Sequence, residues 1–226
     1  MSLLQNKWKI YIISVKESEE RREHCNRLIE KASNFGFSVE IIDAFFWKTT
    51  DVLEKMEEYD IQYNRDVNLT QGQLACFLSH RLAWSKIYSN TNVNEIPIIL
   101  EDDMDLTNFE IFCLTEQDMM DIKNYDSIIM FKHPEQTPKS LDVIGNNLIP
   151  FYFQWGLCAY TVSKNLCEKL LDISYIDNAV DNYLYLNIFP KYNVYFTAVD
   201  PFTNYGYLGG YQGYGGINKY KSLIVN

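Results

Sequence analysis

Pro97-Ile98-Ile99-Leu100-Glu101-Asp102-Asp103 is the stretch that decides how this chain folds. An apolar run suited to a strand buried on both faces ends abruptly in consecutive carboxylates. Adjacent negative charges repel one another and resist desolvation, so they belong where the strand leaves the sheet. In open α/β folds that carboxyl end is where ligands sit. Clustered hard oxygen donors there suit Mg²⁺ or Mn²⁺. An acidic, solvated turn is the plainer reading of the same residues.

On the N-terminal side the pattern is β-α-β, the opening of a nucleotide-binding α/β sheet. Trp8-Lys9-Ile10-Tyr11-Ile12-Ile13 is β-branched and aromatic, a first strand. The spacing of Cys25, Leu28, Ile29 and Ala32 predicts a helix over 18–31, with Glu19 and Glu20 in its first turn and Gly36 as its stop. Phe37-Ser38-Val39-Glu40-Ile41-Ile42 alternates as a second strand. Neither a GxGxxG nor a GxxxxGK[ST] motif follows the first strand, so dinucleotide and P-loop fingerprints are absent. Ser14, Lys16, Arg21 and Arg22 place polar and cationic groups at the first strand's end. Nucleotide contact is one reading of them. Ion pairs with Glu19 and Glu20 at a solvated helix start are the other.

Residues 43–68 are polar, aromatic and irregular, with a short helix predicted over 51–59. Thr70 and Gln73 then have capping-box spacing, opening a helix to about Tyr88 with Leu74, Phe77, Leu78 and Leu82 facing the core. Ser79 and His80 lie within it, where a lone histidine is more often structural than functional. Beyond the acidic run, 126–131 reads as a strand ending at Lys132-His133, and 134–148 as a polar loop with a Gly145-Asn146-Asn147 turn. Residues 151–162 are aromatic and β-prone, interrupted at Trp155-Gly156. Ser163 caps a helix carrying Leu166, Leu170 and Leu171, Asp181 opens a short helical segment, and 193–199 is a last strand. The glycines and tyrosines of 204–226 suit a mobile flap.

A chain of 226 residues, 47% hydrophobic and 15% aromatic, sustains a sizeable core, most simply as one domain over 1–226. Its net charge of -10 argues against a broad nucleic-acid or anionic-membrane surface. It also means that a phosphate-bearing substrate needs a metal or a local basic cluster. Five cysteines without a CxxC pair point to reduced thiols in a cytoplasmic protein. Residues 1–11 do not form a signal peptide, and no run approaches the roughly 20 apolar residues of a membrane helix. The expectation is a soluble cytoplasmic protein, at most peripheral at the inner face of the cytoplasmic membrane.

In this order the landmarks resemble glycosyltransferase family 25, the lipooligosaccharide galactosyltransferases and their collagen-modifying relatives, over roughly residues 8–203. Ile10-Tyr11-Ile12-Ile13-Ser14-Val15-Lys16-x-Ser18-x-x-Arg21-Arg22 looks like that family's first strand and arginine pair. Leu69-Thr70-x-Gly72-Gln73-x-Ala75-Cys76-x-x-Ser79-His80-x-x-x-Trp84 is similar to its most recognisable block. Leu100-Glu101-Asp102-Asp103 matches its acidic metal motif, Trp155-Gly156 to Ser163 its later glycine-aromatic strand, and Val180-Asp181 its downstream acidic position. Ser14-Val15-Lys16 stands where the family usually shows Asn-Leu-x-Arg, and Gln73 and Ala75 where it shows glutamate and glycine.

The resemblance implies a GT-A fold with a mixed, largely parallel sheet, and inverting transfer of a hexose, in the first place galactose from UDP-galactose, to a lipooligosaccharide or lipopolysaccharide acceptor. It makes Glu101 and Asp103 the holders of Mn²⁺ or Mg²⁺, which two-residue spacing on an extended segment allows. It makes Ser14, Lys16, Arg22, Ser79, His80 and Asp102 donor contacts. Asp181 is then the candidate general base, with helix N-capping as its other reading. Two rival classes stand beside it. A metal-dependent phosphohydrolase would use clustered carboxylates but more histidines than the three present, and a non-catalytic saccharide-binding protein would keep the aromatics without needing the carboxylates.

Overall fold

The computed structural model of the protein describes residues 8–90, 95–108, 112, 118, 125–133, 136, 138 and 142–204. The 204–226 flap lies almost wholly outside them. The centre is a seven-stranded sheet in the order β2-β1-β4-β8-β6-β10-β7, formed by β1 (Trp8–Ser14), β2 (Ser38–Asp43), β4 (Ile96–Glu101), β6 (Ser127–Ile129), β7 (Leu148–Pro150), β8 (Ala159–Thr161) and β10 (Val194–Thr197). β1 pairs in parallel with β2 and β4, and β6 with β10. β8 is antiparallel to both β4 and β6, and β7 closes the edge antiparallel to β10. This is the mixed, largely parallel α/β sheet that the resemblance implies. Two short ladders stand apart: β5 (Met104–Leu106) with β11 (Phe202–Asn204), and β3 (Gln62–Tyr63) with β9 (Tyr175–Ile176).

Strand alternation divides the core in two. Side chains two residues apart share a face, so Ile10, Ile12, Ile98, Leu100, Ile128 and Ala159 pack on one side against Cys25, Leu28 and Ala32 of α1 (Glu19–Ser33). Tyr11, Ile13, Ile99, Ile129 and Tyr160 pack on the other, against Leu74, Phe77 and Trp84 of α3 (Gln71–Ser89) and Leu166, Cys167 and Leu170 of α4 (Lys164–Leu171). Helices thus cover both faces, which is what apolar, doubly buried strands require.

The helix starts follow the capping chemistry. Thr70 Oγ1 accepts from Gln73 N–H while the Gln73 side chain accepts from Thr70 N–H, a complete capping box. Asp51 caps α2 (Val52–Glu58) and Ser163 caps α4 in the same sense. The turn expected at Gly145-Asn146-Asn147 is present, closed by an Ile144–Leu148 bridge that leads into β7 and held by buried Asp118, which accepts from the Asn146 and Asn147 N–H groups. One expectation needs correction. The strand over 151–162 is real only at 159–161. Phe151 and Tyr152 are committed to ring packing instead, with Tyr152 stacked 4.2 Å from Phe196.

Candidate active site at the carboxyl end of β4

Register brings the chemistry together. Leu100 pairs with Ala159, so the next residue, Glu101, meets Cys158, and its N–H donates to the Cys158 carbonyl at 2.8 Å. Because β8 runs against β4, the loop that leads into β8, Trp155 to Cys158, arrives where β4 ends. Gly156, at φ +82°, turns that loop in the left-handed region that disfavours side chains. Its N–H donates to Asp181 Oδ2 at 2.8 Å. Asp181 sits in α5 (Val180–Tyr183), whose N-cap residue is Ala179. Its carboxylate is therefore not the cap of its own helix; it is tied to the loop before β8.

The acidic triplet splits by strand parity. Glu101 continues the face of Ile99 and turns toward α3, where His80 Nε2 lies 3.3 Å from Glu101 Oε1. Asp102 continues the face of Leu100 and turns toward α1. There it is 4% exposed and ion-paired with Arg21. Burial raises the pKa of Asp102 above the ordinary carboxylate value, partly opposed by Arg21 and by the Ser14 hydroxyl. Arg21 is held further toward its charged form: burial alone would lower it, but Asp102 and Asp103 outweigh that. Asp103, in the turn before β5, comes back to the Glu101 side, where ligand atoms of Glu101, Asp103 and Cys158 all lie within 4.8 Å of one another. Cys76, His80 and Glu101 meet the same condition.

The local field is strongly negative. Burial first, then the charges of Glu101, Asp103 and Asp181, push the Cys158 thiol well above its usual range, and the same carboxylates with Asp102 do so for Cys76. Carboxylates gathered this closely around the Cys158 thiol mark a corner where a divalent cation would relieve repulsion. The oxygens of Glu101 and Asp103 are the hard donors that Mg²⁺ or Mn²⁺ takes. The residues present therefore fit the expected ion.

The other expected donor contacts are dispersed. Ser14 is buried on the α1 side beside Asp102. Lys16 is exposed in the turn after β1. Arg22 donates to the Ser14 carbonyl at 3.0 Å and pairs with Asp43, clamping the ends of β1 and β2. The arginines thus reach Asp102 and Asp43, where the plainer reading had them pairing with Glu19 and Glu20. Ser79 bonds to the Ala75 carbonyl at 2.7 Å and accepts from Phe45 N–H at 2.9 Å, tethering the loop after β2 to α3. His80 is fully buried, its Nδ1 2.9 Å from the Tyr160 hydroxyl, which also accepts from Trp84 Nε1–H at 2.9 Å. Asp200, a second acidic residue near a strand end, is taken up by the Lys132 ammonium and N–H and by the Thr197 hydroxyl.

Cys158 and Tyr160 carry no signal of their own in the sequence, and Gly156 stands out there only as a break in an aromatic run and as part of a motif. The signal that finds them is the β4–β8 register, which sequence spacing does not contain. Among the described residues, Cys25, Cys76, Cys158 and Cys167 are free thiols, and no helix is long and apolar enough to cross a membrane.

Comparison with known proteins shows what the chain is similar to. Procollagen galactosyltransferase 1-B of Xenopus laevis is 30% identical over 180 residues, 73% of this chain and 28% of that protein. A putative glycosyltransferase of Haemophilus influenzae is 26% identical over 187 residues, covering 77% of this chain and 62% of its own length. The lipooligosaccharide biosynthesis protein lic2B of Haemophilus influenzae is 32% identical over 96 residues, 42% of this chain and 33% of that protein. The chain spans less than two thirds of each of these relatives. Residues 7–184, which hold the β1 end, α3, the acidic triplet, the Gly156 turn and Asp181, match Glycosyltransferase family 25 (LPS biosynthesis protein), and the chain belongs to that family.

Proposed function

We propose that the protein transfers a hexose, galactose, from UDP-galactose to a saccharide acceptor of lipooligosaccharide or lipopolysaccharide, with inversion and with dependence on Mn²⁺ or Mg²⁺. The observation that carries this reading is the convergence of Glu101, Asp103 and Asp181 on the loop before β8, at the carboxyl end of β4. The printed names of the relatives, galactosyltransferase and lipooligosaccharide biosynthesis protein, support the sugar and the acceptor class. The reading includes a GT-A fold in a single domain, and a location in the cytoplasm where the acceptor lipid faces inward.

Glu101 and Asp103 would hold the ion. When bound, the ion supplies charge stabilisation to the departing diphosphate. An acidic protein has few other means of doing this. The chain's own residues do the rest. The Gly156 N–H orients the Asp181 carboxylate, which takes the proton of the acceptor hydroxyl as that oxygen bonds to the anomeric carbon and UDP leaves from the opposite face. Trp155, 47% exposed beside Gly156, offers the incoming sugar an apolar face.

Incubation with UDP-galactose and Mn²⁺, with and without a glucosyl or lactosyl acceptor, tests the reading. Acceptor-dependent UDP release, abolished by chelator, is the expected result. Phosphate release in its place would identify a hydrolase, and no turnover with retained sugar binding would leave a binding protein.

A further inference from the structure

We infer that Tyr160 and Trp84 set the ring tautomer of His80, so that its Nε2–H holds Glu101 in place as a metal-directed carboxylate. The metal part of this rests on the reading above. Trp84 Nε1–H is a donor only, and it points at the Tyr160 oxygen at 2.9 Å. Tyr160 is fully buried, and the hydrogen-bond partners of its hydroxyl among the described residues are Trp84 Nε1 and His80 Nδ1, the latter at 2.9 Å. With one lone pair occupied by the indole, the phenol proton has His80 Nδ1 as its acceptor. A buried hydroxyl proton left without an acceptor is strongly disfavoured. Nδ1 is then the bare nitrogen of a neutral ring, and Nε2 carries the proton. That N–H faces Glu101 Oε1 at 3.3 Å.

The chain Trp84→Tyr160→His80→Glu101 thus runs in one direction from the core to the site. Its members lie on α3, β8 and β4, so it also fixes the helix against the two strands that bring Glu101 and Cys158 together. The reverse tautomer would set a lone pair of Nε2 against a carboxylate and leave the buried Tyr160 hydroxyl proton without an acceptor. His80, Tyr160 and Trp84 are positioning residues: they act through Glu101 and not by touching a donor. A single oxygen of Glu101 is engaged by His80, and its orientation is what a metal ligand needs. Partners of this kind typically contribute about 10–100-fold in metal affinity.

Two readouts test the relay on the intact protein. The first is the ¹⁵N shifts of the His80 ring in the metal-free wild type, assigned by their loss in His80→Leu; with three histidines in the chain the spectrum is simple. A protonated Nε2 and bare Nδ1 are expected, and a ring protonated at Nδ1 would overturn the relay. The second is Mn²⁺ affinity, read as free-ion EPR signal with Mn²⁺ alone. His80→Leu should weaken binding by about 10–100-fold. Tyr160→Phe should weaken it by roughly threefold to tenfold, the order of one hydrogen bond, with the thermal midpoint checked alongside. His80→Gln, which retains an N–H able to reach Glu101, should recover part of the loss. Wild-type affinity in both His80→Leu and Tyr160→Phe would overturn the positioning role. If the wild type binds no Mn²⁺, the metal reading fails, and the ring shifts still decide the relay.

Discussion

Glu101 and Asp102 are neighbours of the same chemistry that end in opposite halves of the molecule. Glu101 faces α3, half-open, among His80, Cys158 and Asp103. Asp102 faces α1, closed off, and is held by Arg21. The single difference between them is strand parity: an extended backbone sends consecutive side chains to opposite faces. One acidic motif therefore supplies both a candidate ligand and an internal ion pair that ties the first helix under the strand ends. Whether a carboxylate serves chemistry or stability here depends on which face it meets and not on its place in the motif.

The contrast is sharpest in turnover. Asp103→Ala should abolish transfer, raising the barrier by on the order of several kcal/mol, while the melting midpoint stays level or rises because repulsion is relieved. Wild-type turnover in this variant would break the assignment of the Glu101 side to the ion. Asp181→Asn should follow, with kcat down about 10²–10⁴-fold at unchanged UDP affinity, since the amide can still accept from Gly156 but cannot take a proton. Joint loss of affinity and turnover would make Asp181 a donor contact, not a base.

On the other face the expected effect is on stability. Asp102→Ala removes the buried carboxylate that pairs with Arg21, and breaking a buried pair costs up to about 3–5 kcal/mol. Denaturant unfolding would measure it, and the folded fraction should keep far more activity than Asp103→Ala. A stable Asp102→Ala that is as inactive as Asp103→Ala would erase the distinction between the faces. Smallest is Gly156→Ala. The added Cβ meets only the Cys158 sulfur at 3.8 Å, so space permits it, but the positive φ costs an L-residue roughly 1–2 kcal/mol. Chemical denaturation reads that loss, and a kcat decrease out of proportion to it would show that the turn also orients Asp181.

Much of this was visible in the residues themselves. The apolar run ending in Glu101, the Thr70–Gln73 box and the Ser163 cap are local patterns, and local physics fixes them. The ends of β1, α1 and β2 fell within a residue or two for the same reason. What could not be read was pairing. The three-residue strands β5, β7 and β8 are too short to show a period, and nothing in Ala159-Tyr160-Thr161 records that it runs against β4. Without that direction, Cys158 and Gly156 have no route to Glu101 and Asp181. The aromatic run at 151–153 misled because ring packing against Phe196 and Tyr185 favours the same residues that a strand does. Motif resemblance points to His80, Glu101 and Asp181 but says nothing of how a fully buried histidine reaches the strand end; the geometry sets its Nε2 3.3 Å from Glu101 Oε1.

Calorimetric titration of UDP into the wild type and Asp103→Ala, each with Mn²⁺ and then with excess chelator, bears most directly on the claim that the Glu101 side of the triplet forms a metal-assisted donor site. Wild type should bind UDP much more tightly with Mn²⁺ than with chelator, and that difference should vanish in Asp103→Ala while its fold persists. Equal UDP affinity with Mn²⁺ and with chelator in the wild type would contradict the account.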